Sequence, residues 1–257
     1  MTRYNKHATT RFSNTVDAYV KYRPSYPVAL IELLKRECQL SEASVVADIG
    51  SGTGILTKQL LDTGATVYGV EPNTEMREAA EVILKSESKF FSVNGTAEET
   101  TLDDQTINLV TAAQAFHWFD QVKVKAEFQR IIKPGGFCAL IWNFRDDKNS
   151  ALMAGYHAML LKHGKDYDKV MAENISDDEV SAFFAPHELK TATFKNIQCF
   201  DWESFKGRLL STSYSLKPGE PGFEAYMAAA KELFDQHQKN DRVEFLYRCV
   251  CYYGHFI

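Results

Sequence analysis

Short apolar runs of strand length recur through the first part of the chain, at residues 45–49, 65–70, 89–93, 107–112 and 138–142, and stretches with helical spacing lie between them. A helix is predicted over 27–40, opening at Pro27, where the missing N–H costs nothing. Another starts at Ile55, and a third leads to Ile131 and a Lys133-Pro134-Gly135-Gly136 turn into the fifth strand. Strand and helix are expected to alternate through residue 142, which predicts an α/β fold with a doubly wound parallel sheet and the first strand at its centre. The loops at 50–54, 71–73, 94–98 and 112–119 then emerge at one edge, beside the topological switch point where ligands bind.

The pattern changes after residue 146. A helix with apolar positions Leu152, Met153, Tyr156, Met159 and Leu160 and a shorter one around Val180, Phe183 and Phe184 form an insertion over 146–190. It reads either as a lid exposing Met and aromatic side chains over a substrate or as ordinary packing core. Strand character resumes at 191–200. A helix over 202–210, a loop at 217–222, a helix over 223–238 and a strand over 243–253, antiparallel to 191–200, complete the chain.

The run Val45-Val46-Ala47-Asp48-Ile49-Gly50-Ser51-Gly52-Thr53-Gly54 places a glycine-rich turn between a buried strand and a helix. Such a turn lets a ligand approach the backbone closely, and the helix N-terminus adds free N–H groups. The second strand ends at Glu71, where a carboxylate accepts both hydroxyls of a ribose. The third runs into Asn94-Gly95-Thr96-Ala97-Glu98, a polar loop placed to read an adenine edge. A dinucleotide fingerprint needs Gly-x-Gly-x-x-Gly, whereas position 55 is Ile and the third glycine comes one residue early.

Asp-x-Gly-x-Gly-x-Gly, an acid after the second strand and Ala-Glu after the third resemble the class I S-adenosylmethionine-dependent methyltransferases. The segments Ala113–Asp120 and 131–142 are similar to the small-molecule branch that includes the trans-aconitate and quinone-pathway enzymes, and Tyr19–Pro27 is similar to the arm with which that branch covers its cofactor. The resemblance covers residues 12–142. It implies a Rossmann-like seven-stranded sheet of order 3-2-1-4-5-7-6 with the last strand antiparallel, S-adenosyl-L-methionine as cofactor, and a small-molecule methyl acceptor. It also implies a cofactor site made of Tyr22, Arg23, Asp48, Gly50, Ser51, Gly52, Gly54, Glu71, Pro72, Thr96, Ala97, Glu98 and Gln114.

Each candidate has a plainer reading. Asp48 contacts the methionine moiety through water, or caps a helix or stabilises the turn. Glu98 receives the adenine amino group or caps a following helix. Arg23 binds the methionine carboxylate or makes a surface ion pair, and Tyr19 and Tyr22 close the pocket or staple the arm. His117, in Phe116-His117-Trp118-Phe119, is a general base or an ordered structural residue. Two rival functions remain open: a nicotinamide-dependent oxidoreductase and a non-catalytic S-adenosylmethionine-binding effector.

At 257 residues, 45% of them hydrophobic, the chain can bury a full α/β core, and we read 1–257 as one domain. Its parts are an arm and helix (1–40), a cofactor-binding core (41–145), the helical insertion (146–190) and C-terminal strands and helices (191–257). Lys plus Arg number 29 against 34 Asp plus Glu, and the net charge of −5 argues against binding nucleic acid through phosphate neutralisation. Five dispersed cysteines and seven dispersed histidines suggest neither a disulfide framework nor a metal site. No apolar leader and no run long enough for a membrane span are seen, so a cytoplasmic protein is expected.

Overall fold

The structure is a computed structural model that describes residues 22–165, 167, 176–212 and 214–257. Tyr19 and the rest of the arm before Tyr22 lie outside the described residues, as does 168–175 of the insertion. Seven strands form one sheet of order β3-β2-β1-β4-β5-β7-β6. They are β1 (Val45–Ile49), β2 (Thr66–Val70), β3 (Phe90–Val93), β4 (Ile107–Ala113), β5 (Ile132–Arg145), β6 (Lys190–Phe200) and β7 (Val243–His255). The first five are parallel; β7 runs antiparallel to both β5 and β6. Sheet order and strand senses match the expectation.

The central strands are apolar on both faces, as a sheet covered by helices on each side requires. Val46, Val67, Leu109 and Ala139 face α1 (Val28–Glu37) and α2 (Ile55–Leu61), meeting Leu30, Leu34, Leu56 and Leu60. Their neighbours Ala47, Val110 and Leu140 face the other way. That layer holds α4 (Gln121–Ile131) and α6 (Asp177–Phe184), through Val124, Phe128, Phe183 and Phe184. α3 (Thr74–Ile83) lies between β2 and β3. A third cluster gathers α5 (Ala151–His163), α7 (Trp202–Leu210) and α8 (Phe223–His237) around Phe245 and Tyr247 of β7.

Two expectations need correction, and one open alternative is decided. No helix joins β3 to β4: after Gly95 the chain is pinned as a loop because Glu127 of α4 accepts from the Thr100 backbone N–H (2.8 Å) and hydroxyl (2.5 Å). The carboxylate gives buried backbone a partner that a helix would otherwise supply. Lys133–Gly136 is not a turn before β5 but its opening, with a register shift against Ile107 and Leu109. Gly136 tolerates this where a Cβ would stand 2.5 Å from Ile132 Cγ2. Finally, Leu152, Met153, Tyr156, Met159 and Leu160 are buried against α7, α8 and β7, so α5 is packing core and exposes no Met-aromatic lid.

Cys38, Cys249 and Cys251 are buried together on the α1 side and Cys138 on the opposite face, while Cys199 on β6 is exposed. Burial pushes the thiols of Cys38 and Cys249 up to about 12 and raises those of Cys138 and Cys251 well above the ordinary thiol value. All five are free.

Candidate functional site

The site is built at the carboxyl ends of β1, β2 and β4. Leaving β1, the chain turns through Gly50, whose N–H donates to Val70 O at 2.8 Å, and Ser51, whose N–H reaches the same carbonyl at 3.2 Å. Gly50 has φ 67°, and a Cβ there would lie 2.6 Å from Ala115 Cβ, so no larger residue fits beneath the loop that follows β4. Gly54, at φ 84°, ends the turn as the N-cap of α2.

Glu71 closes this turn from the tip of β2. One carboxylate oxygen accepts the Gly52 N–H at 2.9 Å and the other accepts the Asn73 N–H at 2.8 Å. Burial holds its carboxyl above the ordinary range, against the pull of those two N–H groups and Arg77. Half-buried Pro72 follows, and Asn73 caps α3 by accepting from Met76 N–H at 2.9 Å. Arg77, one turn into α3, donates to Glu71 O (3.0 Å) and Asn94 Oδ1 (3.2 Å), tying the loop after β2 to the loop after β3.

Asp48 is fully buried beneath the turn. Thr57 of α2 and Thr111 of β4 donate their hydroxyls to it at 2.7 and 2.8 Å. Desolvation lifts its pKa to about 6 despite both bonds. Here it cross-links β1, α2 and β4 rather than capping a helix.

Thr96 is exposed and Ala97 buried in the loop after β3. Glu98 accepts the Asp120 N–H at 2.9 Å, so it bridges to the loop after β4; its alternative role as the cap of a following helix falls away with that helix. Gln114, at φ 56°, ends β4 with its N–H on Ile141 O (2.8 Å) and its amide on Asn143 O (3.1 Å). His117 sits in the short 3-10 turn Phe116–Trp118, its ring 4.9 Å from that of Trp118. Burial lowers its pKa to about 4, so the ring is neutral at physiological pH.

Tyr22 and Arg23 meet residues from the C-terminal part of the chain. The Tyr22 ring lies over Gly207 of α7, where a Cβ would come within 2.2 Å of it, and Gln198 of β6 donates to Tyr22 O at 3.4 Å. Arg23 donates to Ser211 O at 3.4 Å, just past α7. The remaining predicted residues, Asp48, Gly50, Ser51, Gly52, Gly54, Glu71, Pro72, Thr96, Ala97, Glu98, Gln114 and His117, come together along β1–β4. Reading the sequence missed Thr57, Thr111, Asn73 and Arg77. Asn73 had a readable signal, as an Asn opening a helix; a threonine in a strand and an arginine in a helix carry none.

A glycine turn, an acid at the tip of the next strand and a polar loop after the third, all at one sheet edge, define a nucleoside-binding α/β domain. Residues 47–140 match the family described as "Methyltransferase domain". An uncharacterised methyltransferase from Mycobacterium tuberculosis is 37% identical over 148 residues, 58% of this chain and 58% of that protein. One from Geobacillus sp. is 30% identical over 169 residues, covering 62% of this chain and 75% of that protein. The fold is shared with a candidate type II methyltransferase from Anaeromyxobacter dehalogenans, with TM-score 0.65, 20% identity, and 92% and 99% of the two chains covered. The chain belongs to the methyltransferase family, whose class I members take their methyl group from S-adenosylmethionine. The match spans a little over half the length of the mycobacterial relative. Among the described residues no helix is long and apolar enough to cross a membrane, and no cluster of His, Cys, Asp and Glu could hold a metal ion.

Proposed function

We propose that the protein transfers the methyl group of S-adenosylmethionine to a small organic acceptor. The observation that carries this reading is Glu71, buried between the Gly52 and Asn73 N–H groups at the tip of β2. A carboxylate offers about four lone-pair sites, and two backbone bonds leave two for the hydroxyls of a ribose. Thr96, Ala97 and Glu98 take the adenine edge, and the turn from Gly50 to Gly54 takes the methionine end. Gln114 and His117 then stand beside the methyl group, at the tip of β4. Residues 1–257 act as one methyltransferase domain, with the cofactor on β1–β4 and the acceptor toward β5, β7 and β6.

Methyl transfer from a sulfonium is an in-line displacement: the acceptor's lone pair takes the methyl carbon and the S–C bonding pair stays on sulfur. Alignment supplies much of the acceleration, up to about 7–11 kcal/mol. A proton held by the acceptor needs a base, and neutral His117 is the candidate. Five free thiols suit a reducing compartment, and we place the protein in the cytoplasm with no nucleic-acid or membrane partner.

The test is incubation with isotopically labelled S-adenosylmethionine and a metabolite extract. Label in a small product, lost with Glu71→Ala, is the expected result; label in protein or nucleic acid, or none in any fraction, would contradict it.

A further inference from the structure

The acceptor half of the sheet carries a cluster that the cofactor site does not use. Arg145 ends β5, and its register partner on β7 is Tyr247. Arg208, in the last turn of α7, donates from Nε to the Tyr247 hydroxyl at 3.1 Å. Arg145 donates to the hydroxyls of Tyr214 and Tyr167, both at 2.5 Å, and its guanidinium carbon lies 5.7 Å from the ring centres of both Tyr156 and Tyr214. Arg208 is 4% exposed and Tyr156 1% exposed. Arg208 Nη1 and the Tyr156 hydroxyl are buried with no hydrogen-bond partner among the described residues.

A guanidinium removed from water needs an anion or a full set of acceptors. Asp147 lies on the Arg145 side of the cluster: one oxygen lies 3.9 Å from Arg145 Nε and the other 3.5 Å from His157 Nδ1. Among the described residues no carboxylate forms an ion pair with Arg208. Its Cζ lies 5.7 Å from the Phe245 ring centre, a contact that gives Nη1 no acceptor among the described residues. Tyr214 lies within the field of these arginines. Burial pushes its phenol up, yet Arg145, Arg208 and Arg23 together pull it below the ordinary tyrosine value.

We propose that Arg145 and Arg208, with the hydroxyls of Tyr156 and Tyr214, form an oxyanion site that takes a carboxylate or phosphate group of the methyl acceptor. The proposal rests on the methyl-transfer reading and narrows its acceptor to a small acid. Guanidinium forks match both oxyanions in geometry, and a hydroxyl donates to either. Arg145 leaves the same sheet edge as the glycine turn. The Gln114 amide on Asn143 O connects the tip of β4 to the strand that carries it. An acid anchored here presents its remote end toward that tip, where the reacting atom is needed.

The test uses the full chain. Calorimetry with S-adenosylhomocysteine first establishes the cofactor site; inorganic phosphate and citrate are then titrated separately at constant ionic strength, with chloride as baseline. Saturable binding of phosphate or citrate is expected, and which one binds separates a phosphate from a carboxylate acceptor. Arg208→Met should weaken it by about tenfold or more and Tyr156→Phe by a smaller factor, both with unchanged affinity for S-adenosylhomocysteine. Neither oxyanion binding above chloride, or both variants binding as the parent does, would overturn the site. If Arg208→Met fails to fold, the parent titration and Tyr156→Phe decide. Failure to bind S-adenosylhomocysteine would instead count against the methyl-transfer reading, and the oxyanion titration would still judge the site.

Discussion

Glu71 holds the turn in this structure and accepts the ribose in the proposed function, and a substitution there separates the two poorly. Glu71→Ala removes the proposed ribose acceptor and also frees the Gly52 and Asn73 N–H groups, one of them at the head of α3. We expect S-adenosylmethionine affinity to fall by about 1–3 kcal/mol, the scale of a lost charge-assisted bond, together with a lower melting temperature. Calorimetry and thermal unfolding on one preparation check both; unchanged affinity in a folded variant would remove Glu71 from the ribose.

Asp48 and His117 make opposite contributions to pH dependence. A carboxyl raised from 3.8 to about 6 binds more protons folded than unfolded, so its contribution to stability is fully present below about pH 4 and is lost as pH rises through 6. The size is at most about 3 kcal/mol. His117, lowered from 6.5 to about 4, has the reverse effect: its contribution is present above pH 6.5 and lost as pH falls toward 4. Asp48→Asn should therefore gain stability relative to the parent between pH 4 and 6.5, read by denaturant titration at each pH. A constant difference would show that Asp48 is not the buried acid responsible. The same lowering moves the kinetic signature of His117. Were it the general base, single-turnover rate would fall only as pH drops toward 4, not near the 6.5 of an unperturbed imidazole, and His117→Gln would lose about 10²–10⁴-fold with cofactor affinity intact. An undiminished rate would assign the ring to ordering the turn beside Trp118.

Among the elements, α7 is the one whose sequence conceals its task. Gly207 weakens a helix by about 1 kcal/mol relative to Ala, and the structure accounts for it: the Tyr22 ring occupies the space of the missing Cβ. Gly207→Ala should speed hydrogen exchange in residues 22–26 by displacing that ring. In a Tyr22→Ala background the same change should stabilise by about 1 kcal/mol. A stabilising Gly207→Ala in the parent would show that the ring does not depend on the gap.

The same contrast shows what the sequence could reveal. Strands β1 to β5 are apolar runs bounded by polar turns, and local pattern alone located them. The glycine turn and Glu71 were legible because their chemistry is local to a few residues. The loop between β3 and β4 was not, since it is held by Glu127, far along the chain. The contacts of Tyr22 and Arg23 with Gly207 and Ser211 were not legible for the same reason: those residues lie at the other end of the sequence. Amphipathic spacing in α5 could not distinguish a lid from core, because both present the same stripe until α8 and β7 are placed against it.

At the level of the whole molecule the sheet divides in two about β4, with nucleotide-type loops on one side and the buried arginines on the other. Ligand of the native state should raise stability throughout: S-adenosylhomocysteine at 100 times its dissociation constant adds about 2.7 kcal/mol. NAD at the same concentration should leave the melting temperature where it was. A shift with NAD alone would restore the oxidoreductase reading.

The distribution of cysteines has a practical outcome. Four of the five thiols are buried with pKa values raised well above the ordinary thiol range, and a thiol that does not ionise does not attack a maleimide. Cys199 alone is exposed, on the strand face opposite Asn196 and Gln198, which hold the segment from Tyr22 to Ser25. The native protein should take up one maleimide and the denatured chain all five. It therefore carries a single natural point of attachment by which every molecule can be tethered in the same orientation, without engineering a residue.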